Sequence, residues 1–466
     1  MITPVHCFST LITLFIVSYL GFISSKNVKS SKDFAVGNRQ LSKEKVAGSL
    51  IATIVGGAST IGTSELAFQQ GVNAMWFTLG SSIACIFLGV FLAGPLRRAE
   101  VDTIPQFLSR SYGAYAGVAA SIFTSIAIFI HITGQVLSST AILTSMFHVT
   151  VNLAVIITML LIVSYIFFGG FLGTSIIGIA KTLLLYLTLT VSGVITYKYF
   201  HGISGFTAAF PKEPWFNLFS GGISAGLAMG FSLVVGVAST QTYLQALFAG
   251  KDERESRNGA FLSALLIPPI GLISTFIGMY MKTSHPNLTP SQALPTFILT
   301  YLNPWIGGIA IAALIVSVIG TGAGLTLGIS TMINRDIYLR FINPKADDKK
   351  QLIVLRASVF ALCAIAMLMV FTNLNTLILK WSFLSMALRG TTIFFPLIAA
   401  IYCKGKANKM AGLVSIIAAP LAAIIWELFG MKNIDPLYIG LATSVIFLLG
   451  LSVIPQGSTI KKGVVK

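Results

Sequence analysis

Acidic side chains are scarce in this sequence: Asp and Glu number 14 in 466 residues, and only 10% of the chain is charged at all. With 55% hydrophobic residues and a mean hydropathy of +0.86, too little polar surface remains to cover a water-soluble domain. Cysteine is nearly as rare. Cys7, Cys85, Cys363 and Cys403 fall in or at the ends of apolar runs without metal or redox spacing, and read as core thiols. The five histidines, His6, His131, His148, His201 and His285, are scattered. With acids so few, nothing resembles the clustered His, Asp and Glu of a membrane-embedded enzyme, so no enzymatic activity is expected. A phosphate-cradling Gly-rich loop ending in Lys-Ser/Thr is also missing, and no soluble domain is attached. That argues against an ATP-driven pump or a receptor and predicts no cofactor. Any energy used should come from an ion gradient.

What the sequence has instead is apolar runs of about 20 residues, each long enough to cross a hydrocarbon core of about 30 Å as a helix. They lie near residues 4–24, 46–69, 74–96, 115–147, 151–169, 174–199, 219–249, 258–281, 304–331, 352–371, 376–402, 408–428 and 435–454, about thirteen in all. A net charge of +17 in a soluble protein would point to nucleic acid. Here the basic residues gather in alternate loops: Lys26 to Lys45, Arg97 to Arg110, Lys251 to Arg257, Arg335 to Arg356, Lys404 to Lys409, and Lys461 to Lys466. That is the positive-inside pattern of a multi-pass inner-membrane protein, with lipid and a small solute as partners rather than nucleic acid. The first run has its positive flank after it, the reverse of a signal peptide, so we expect a retained helix with its N-terminus outside and the C-terminus in the cytoplasm. Short surface helices are expected near 201–216 and 283–303.

Two spans are interrupted by small residues. In Ile51-Ala-Thr-Ile-Val-Gly-Gly-Ala-Ser-Thr-Ile-Gly62, a mid-depth break would expose backbone amides and carbonyls, which a membrane tolerates only where they line a cavity or bind an ion or solute. A small-residue packing face is the plainer alternative. Gly221-Gly-Ile-Ser-Ala-Gly-Leu-Ala-Met-Gly230, continuing to Gly236, reads the same way five helices later, the spacing of an inverted five-helix repeat.

At these residues the chain resembles the sodium:solute symporter family, whose members carry solutes such as sugars, proline or monocarboxylates on the leucine-transporter fold. The resemblance runs through Lys32-Asp-Phe-Ala-Val-Gly-Asn-Arg39, the segment from Ala52 to Gly62 with Gly71, Thr103-Ile-Pro-Gln-Phe107, Phe168-Gly-Gly-Phe171, Gln241-x-x-x-Gln245, Ala249-Gly-Lys-Asp252, Asn303-Pro-Trp305, and Thr321 onward to Arg335-Asp-Ile-Tyr338. It implies one helix before the core at 1–25, inverted five-helix repeats at 46–199 and 219–402, two further helices at 408–454, and a cytoplasmic tail at 455–466. It also implies Na+ as coupling ion, held by the carbonyls of Ala52, Val55 and Ser317 and by hydroxyls at 320 and 321. Position 320 is Gly320, so only Thr321 keeps its hydroxyl. Where sodium-coupled relatives often place Asp and Gln, this chain has Gly178 and Lys181, one turn apart on one helix face. A lysine inside a span needs a partner and usually a role. We expect Lys181 to occupy the volume of the sodium, with snorkelling to the cytoplasmic side as the alternative.

Further polar groups stand inside the spans. Arg389 has the fork suited to a carboxylate and is expected to read an anionic substrate, or else to pair with Glu65. His131 is a proton-relay candidate or a packing residue. Gln241 and Gln245 offer amides to a substrate or across helices. Trp76, Trp305 and Trp381 read as interface anchors, with a gate role as the alternative. The substrate is expected beside Ile54, Gly56, Gly57 and Ala58. The resulting expectation is a secondary active transporter of a small carboxylate or zwitterion, working by alternating access. A sodium-independent carrier, proton-coupled or facilitative, with Lys181 in place of sodium is the first alternative to a sodium symporter, and a channel or a membrane enzyme the rivals from other classes. Oligomeric state is left open by the sequence.

Overall fold

The structure, a computed structural model, describes residues 2–25, 39–371, 377–430 and 434–453, with backbone alone for 21–25 and 167–176. Among the described residues there is no strand, only one isolated parallel bridge between Leu41 and Gly250. The all-α expectation therefore holds. Among the described residues, eight helical stretches are long and apolar enough to cross a membrane, or nine if a bent pair is counted as one.

In chain order the helices that matter are α1 (Pro4–Ser25), α2 (Lys43–Ile54), α3 (Thr63–Gln70), α4 (Trp76–Phe87), α5 (Ile104–Tyr112), α6 (Ala114–Phe147) and α7 (Val151–Tyr199). They continue with α8 (Ile223–Val237), α9 (Gln241–Ala249), α10 (Glu253–Leu266), α11 (Pro268–Ser284), α12 (Ala293–Tyr301), α13 (Pro304–Met332), α14 (Asp348–Phe371), α15 (Ile378–Tyr402), α16 (Lys409–Leu428) and α17 (Pro436–Ser452). Short helices Ile203–Ala209 and Lys212–Trp215 lie in the connection after α7.

Composition decides which spans sit inside. The run from Pro304 to Ile342 is 89% buried across its most apolar window, whereas that of α14 is 28% buried. The first is studded with Gly, Ala, Ser and Thr, which let neighbouring backbones come close without lipid. The second carries large apolar side chains outward: Ile353, Phe360, Ile365 and Leu368 are all exposed.

The segment read as spans 151–169 and 174–199 is helical throughout in α7. At about 1.5 Å per residue that is some 73 Å, more than twice an apolar core of about 30 Å. Yet Ile162 and Tyr165 fill the space beside Gly322 and Gly320, while Lys181 bonds to Ser317 and Thr321. Both halves of α7 thus meet α13 at one level.

Two interruptions shape the centre. After α2, Val55 turns extended (φ −86°, ψ 96°), and the chain re-enters helix through a π-turn, Ala58–Gly62. Gly56 is required here, because a Cβ would lie 2.5 Å from Gln135 Oε1 and 2.6 Å from Thr321 Oγ1. The second interruption corrects the sequence reading. The Gly-rich run 221–236 lies in and just before α8, and the chain breaks after it at residues 238–240, with a 47° bend into α9. Gly226 and Gly230 serve close packing against Phe219 and Trp76, and Gly236 against Met386. A second correction concerns the thiols: Cys85 and Cys363 are buried, but Cys403 is exposed and Cys7 only partly covered.

Candidate functional site

The first break opens its carbonyls toward α13 and α7. Thr321 Oγ1 donates to Ala52 O at 3.0 Å and reaches Val55 O at 3.2 Å, and Ser317 Oγ donates to Val55 O at 3.1 Å. The Lys181 ammonium enters this group from α7, donating to Ala52 O at 2.7 Å, to Ser317 O at 3.2 Å and to Thr321 Oγ1 at 3.3 Å. Its side chain is 1% exposed, so it does not snorkel to the surface. Gly178 makes the approach possible, since a Cβ there would stand 2.3 Å from Gly48 O on α2. Gly320 faces Tyr165 and brings no hydroxyl. All the residues named as cation ligands are gathered within one cluster, and an ammonium is among them.

Beside Gly56, Gly57 N–H donates to Gln135 Oε1 at 2.9 Å. One turn earlier on α6, His131 Nδ1 meets Arg389 Nη2 at 2.9 Å. Arg389, fully buried in α15, also donates to Ser385 O (3.1 Å), Ser385 Oγ (2.8 Å) and Thr240 Oγ1 (2.8 Å), and lies 6.0 Å from the Tyr243 ring centroid. Helix α6 therefore ties both breaks together, the first through Gln135 and the second through His131, Arg389 and Thr240. Among the described residues no carboxylate pairs with Lys181 or Arg389.

Two expected partners stand elsewhere. Glu65 does not pair with Arg389; its Oε2 accepts from Ile378 N–H at 3.0 Å and closes the start of α15, whose first turn needs an acceptor. Gln241 does not face the solute side of the break. Its amide is spent on the loop before α5, accepting from Ile104 N–H at 2.8 Å and donating to Asp102 O at 2.9 Å. Ile54 and Ala58 flank the first break and are fully buried. Gln135, Thr240 and Ser385 had not been singled out from the sequence; the signal for Gln135 was its place four residues after His131 in an otherwise apolar span.

The loop held by Gln241 belongs to a polar layer on the side of the basic loops. Asp102 pairs with Arg39 at 3.2 Å and Arg335 at 3.8 Å, and Thr103 Oγ1 donates to Asp336 at 2.9 Å. Arg340 donates to Ser109 at 2.9 Å. These groups border a cavity of about 810 Å³. Motif pieces far apart in the chain, at 103–107 and 335–338, converge here, and the piece at 249–252 is held close to Arg39 by its bridge to Leu41 and by Arg97 donating to Gly250 O at 2.6 Å. The motif ending at Arg39 lies outside the described residues up to position 38, as do the side chains of 168–171.

A model of the sodium:solute symporter family matches residues 34–419. The chain belongs to the sodium:solute symporter family. This symporter is thus a multi-pass membrane protein and a secondary active transporter of a small solute. Its curated relatives include sodium/proline symporter 2 of Staphylococcus saprophyticus, 22% identical over 92% of this chain and 89% of that one. The high-affinity proline transporter PutP of Bacillus subtilis is 21% identical over 94% and 95%. Among solved structures, the symporter is similar to a Na+-coupled sialic acid symporter in a substrate-bound outward-open state, with TM-score 0.80, 17% identity, and coverage of 97% of this chain and 98% of that one. MhsT in complex with L-phenylalanine gives TM-score 0.59 at 15% identity, covering 87% and 99%. These likenesses establish a shared fold.

Proposed function

We propose that this symporter carries a small carboxylate or zwitterion by alternating access, and that Lys181 stands permanently where relatives bind a coupling sodium. The observation that carries the reading is the ammonium among the oxygens of Ala52, Ser317 and Thr321. A cation fixed there satisfies the carbonyls freed by the break, and a buried charge is tolerated when it is hydrogen-bonded on several sides. The solute lies toward His131, Gln135 and Arg389. Relatives named for proline support an amino-acid-sized solute.

The architecture proposed with it has thirteen crossings, α7 counting as two because both its halves meet α13 at one level. Residues 1–25 precede inverted repeats at 46–199 and 219–402, followed by helices at 408–454 and a tail at 455–466. The alternation of basic loops places the N-terminus outside and the C-terminus in the cytoplasm of the cell membrane.

Sodium coupling is the second reading, favoured by family membership. Uptake of labelled carboxylates, amino acids and sugars into proteoliposomes separates the two, with a sodium gradient, a proton gradient or neither, for wild type and Lys181→Ala. The lysine reading expects sodium-independent uptake that is lost in the variant. Sodium-driven accumulation by wild type overturns it.

A further inference from the structure

Two nitrogens left unpaired around Arg389 are donors, beside the hydroxyls of Ser239 and Tyr243, which can donate or accept. A guanidinium has no lone pair to give, so its contact at 2.9 Å makes His131 Nδ1 the acceptor and leaves the imidazole proton on Nε2. That Nε2 is buried and has no partner. Gln135 spends its Oε1 on Gly57 N–H, and its Nε2 is likewise buried without a partner. Arg389 itself is fully buried among neutral groups only: Ser385, Thr240 and His131. Ser239, in the second break, has an unpaired hydroxyl.

Several carbonyls at the two breaks are, by contrast, already taken. Ala52 O holds Lys181 and Thr321, and Val55 O holds Ser317 and Thr321. Gly56 O accepts the hydroxyls of Ser59 and Thr60, Ala58 O that of Thr63, and Gly236 O that of Thr240. The nearby carboxylate of Glu65 is engaged with Ile378, and Asp336 lies in the distant polar layer with Thr103. A buried polar group left unpaired costs about 1–3 kcal/mol, so an arrangement with spare donors and a lone cation is completed by an acceptor of negative charge. Little is on offer to an ammonium, which is itself only a donor.

We infer that this symporter recognises its solute through a carboxylate laid on His131 Nε2–H and the Gln135 amide, with Arg389 behind the imidazole on Nδ1 supplying the positive charge, and that its substrates are small monocarboxylates needing no amino group. The inference rests on the transporter reading of the same site, and names the solute class that the site takes. It sets this chain apart from relatives named for proline, since a zwitterion's ammonium would compete with Lys181 for the same carbonyls.

The test uses purified full-length protein and matched sets of probes: straight-chain, branched and cyclic monocarboxylates of two to seven carbons, the corresponding amides and amines, and the α-amino acids. Binding is read as a shift of the thermal unfolding midpoint, and transport separately as uptake into proteoliposomes. At least one carboxylate should raise the midpoint while its amide and amine do not. Gln135→Glu keeps an oxygen for Gly57 N–H but, when ionised, replaces the donor by an acceptor, and should weaken carboxylate binding at least tenfold in protein that still unfolds in one cooperative transition. A shift by amines, amides or amino acids alone, no shift by any carboxylate, or full carboxylate affinity in Gln135→Glu overturns the inference. Carboxylate binding without uptake would leave it standing and defeat the transporter reading instead.

Discussion

Replacing Lys181 by alanine and Gly320 by serine in one protein should return the cation site to sodium. Removing the ammonium empties the space it fills 2.7 Å from Ala52 O, 3.2 Å from Ser317 O and 3.3 Å from Thr321 Oγ1. Those three oxygens and the carbonyl of Val55 remain around it, and serine supplies the hydroxyl that the family resemblance places at 320. The nearest atom to a Cβ at 320 is the Tyr165 hydroxyl at 3.3 Å, which a few tenths of an ångström of movement accommodate. Three bonds from a charged donor, about 1.5–3 kcal/mol each, are lost, against several kcal/mol of ammonium desolvation that is no longer incurred. Ala52 O keeps its bond from Thr321 at 3.0 Å, so the fold should survive with a change of no more than about 2 kcal/mol. One bound sodium then fixes the gain. A tenfold inward gradient without membrane potential is worth about 1.4 kcal/mol, or about tenfold accumulation of a neutral-cycle solute. A potential of about 100 mV adds about 2.3 kcal/mol for each net charge moved. In proteoliposomes, wild type should equilibrate its solute to a ratio near one whatever the sodium gradient, and the double variant should approach the tenfold limit. Sodium-driven accumulation by wild type, abolished in the double variant, would refute the reasoning.

Gly178→Ala should mimic Lys181→Ala: its Cβ would sit 2.3 Å from Gly48 O and 2.6 Å from Ala52 Cβ, so α7 must retreat by about an ångström and draw the ammonium off its carbonyls, at about 1–3 kcal/mol of overpacking. Uptake by well-expressed protein checks this. Arg389→Lys keeps the charge but loses the fork that bonds Ser385, Thr240 and His131 at once, and should lower carboxylate uptake at least tenfold where a merely structural cation would be spared. Asp102→Asn removes the shared partner of Arg39 and Arg335 and should loosen the polar layer. In a Cys403→Ser background, a cysteine at Ser109, beside the cavity, should then react severalfold faster with a membrane-impermeant maleimide.

The membrane class and helical fold were legible because apolar runs and loop charges are properties of local sequence. The first break was legible too, since adjacent glycines at 56 and 57 mark backbone that unwinds cheaply. The second was misplaced because glycines do opposite things: those at 226, 230 and 236 bring α8 close to Trp76 and Met386, while the break at 238–240 contains none. Lys181 could be placed at the cation site because Gly178 and Gly320 departed from the family pattern together. Glu65 and Gln241 were misjudged for one reason. Their partners are backbone groups, Ile378 N–H for one and Ile104 N–H with Asp102 O for the other, and a main-chain partner leaves no trace in residue identity.

Gly56 has a consequence for how the two charged clusters meet. Its missing side chain leaves a space that Gln135 Oε1 and Thr321 Oγ1 share, at 2.5 and 2.6 Å from where a Cβ would stand. Thr321 carries the Lys181 ammonium, while Gln135 sits one turn from the imidazole that meets Arg389. The lysine cluster and the arginine cluster are therefore neighbours across one glycine, and Arg389 on Thr240 joins them in turn to the 47° elbow between α8 and α9.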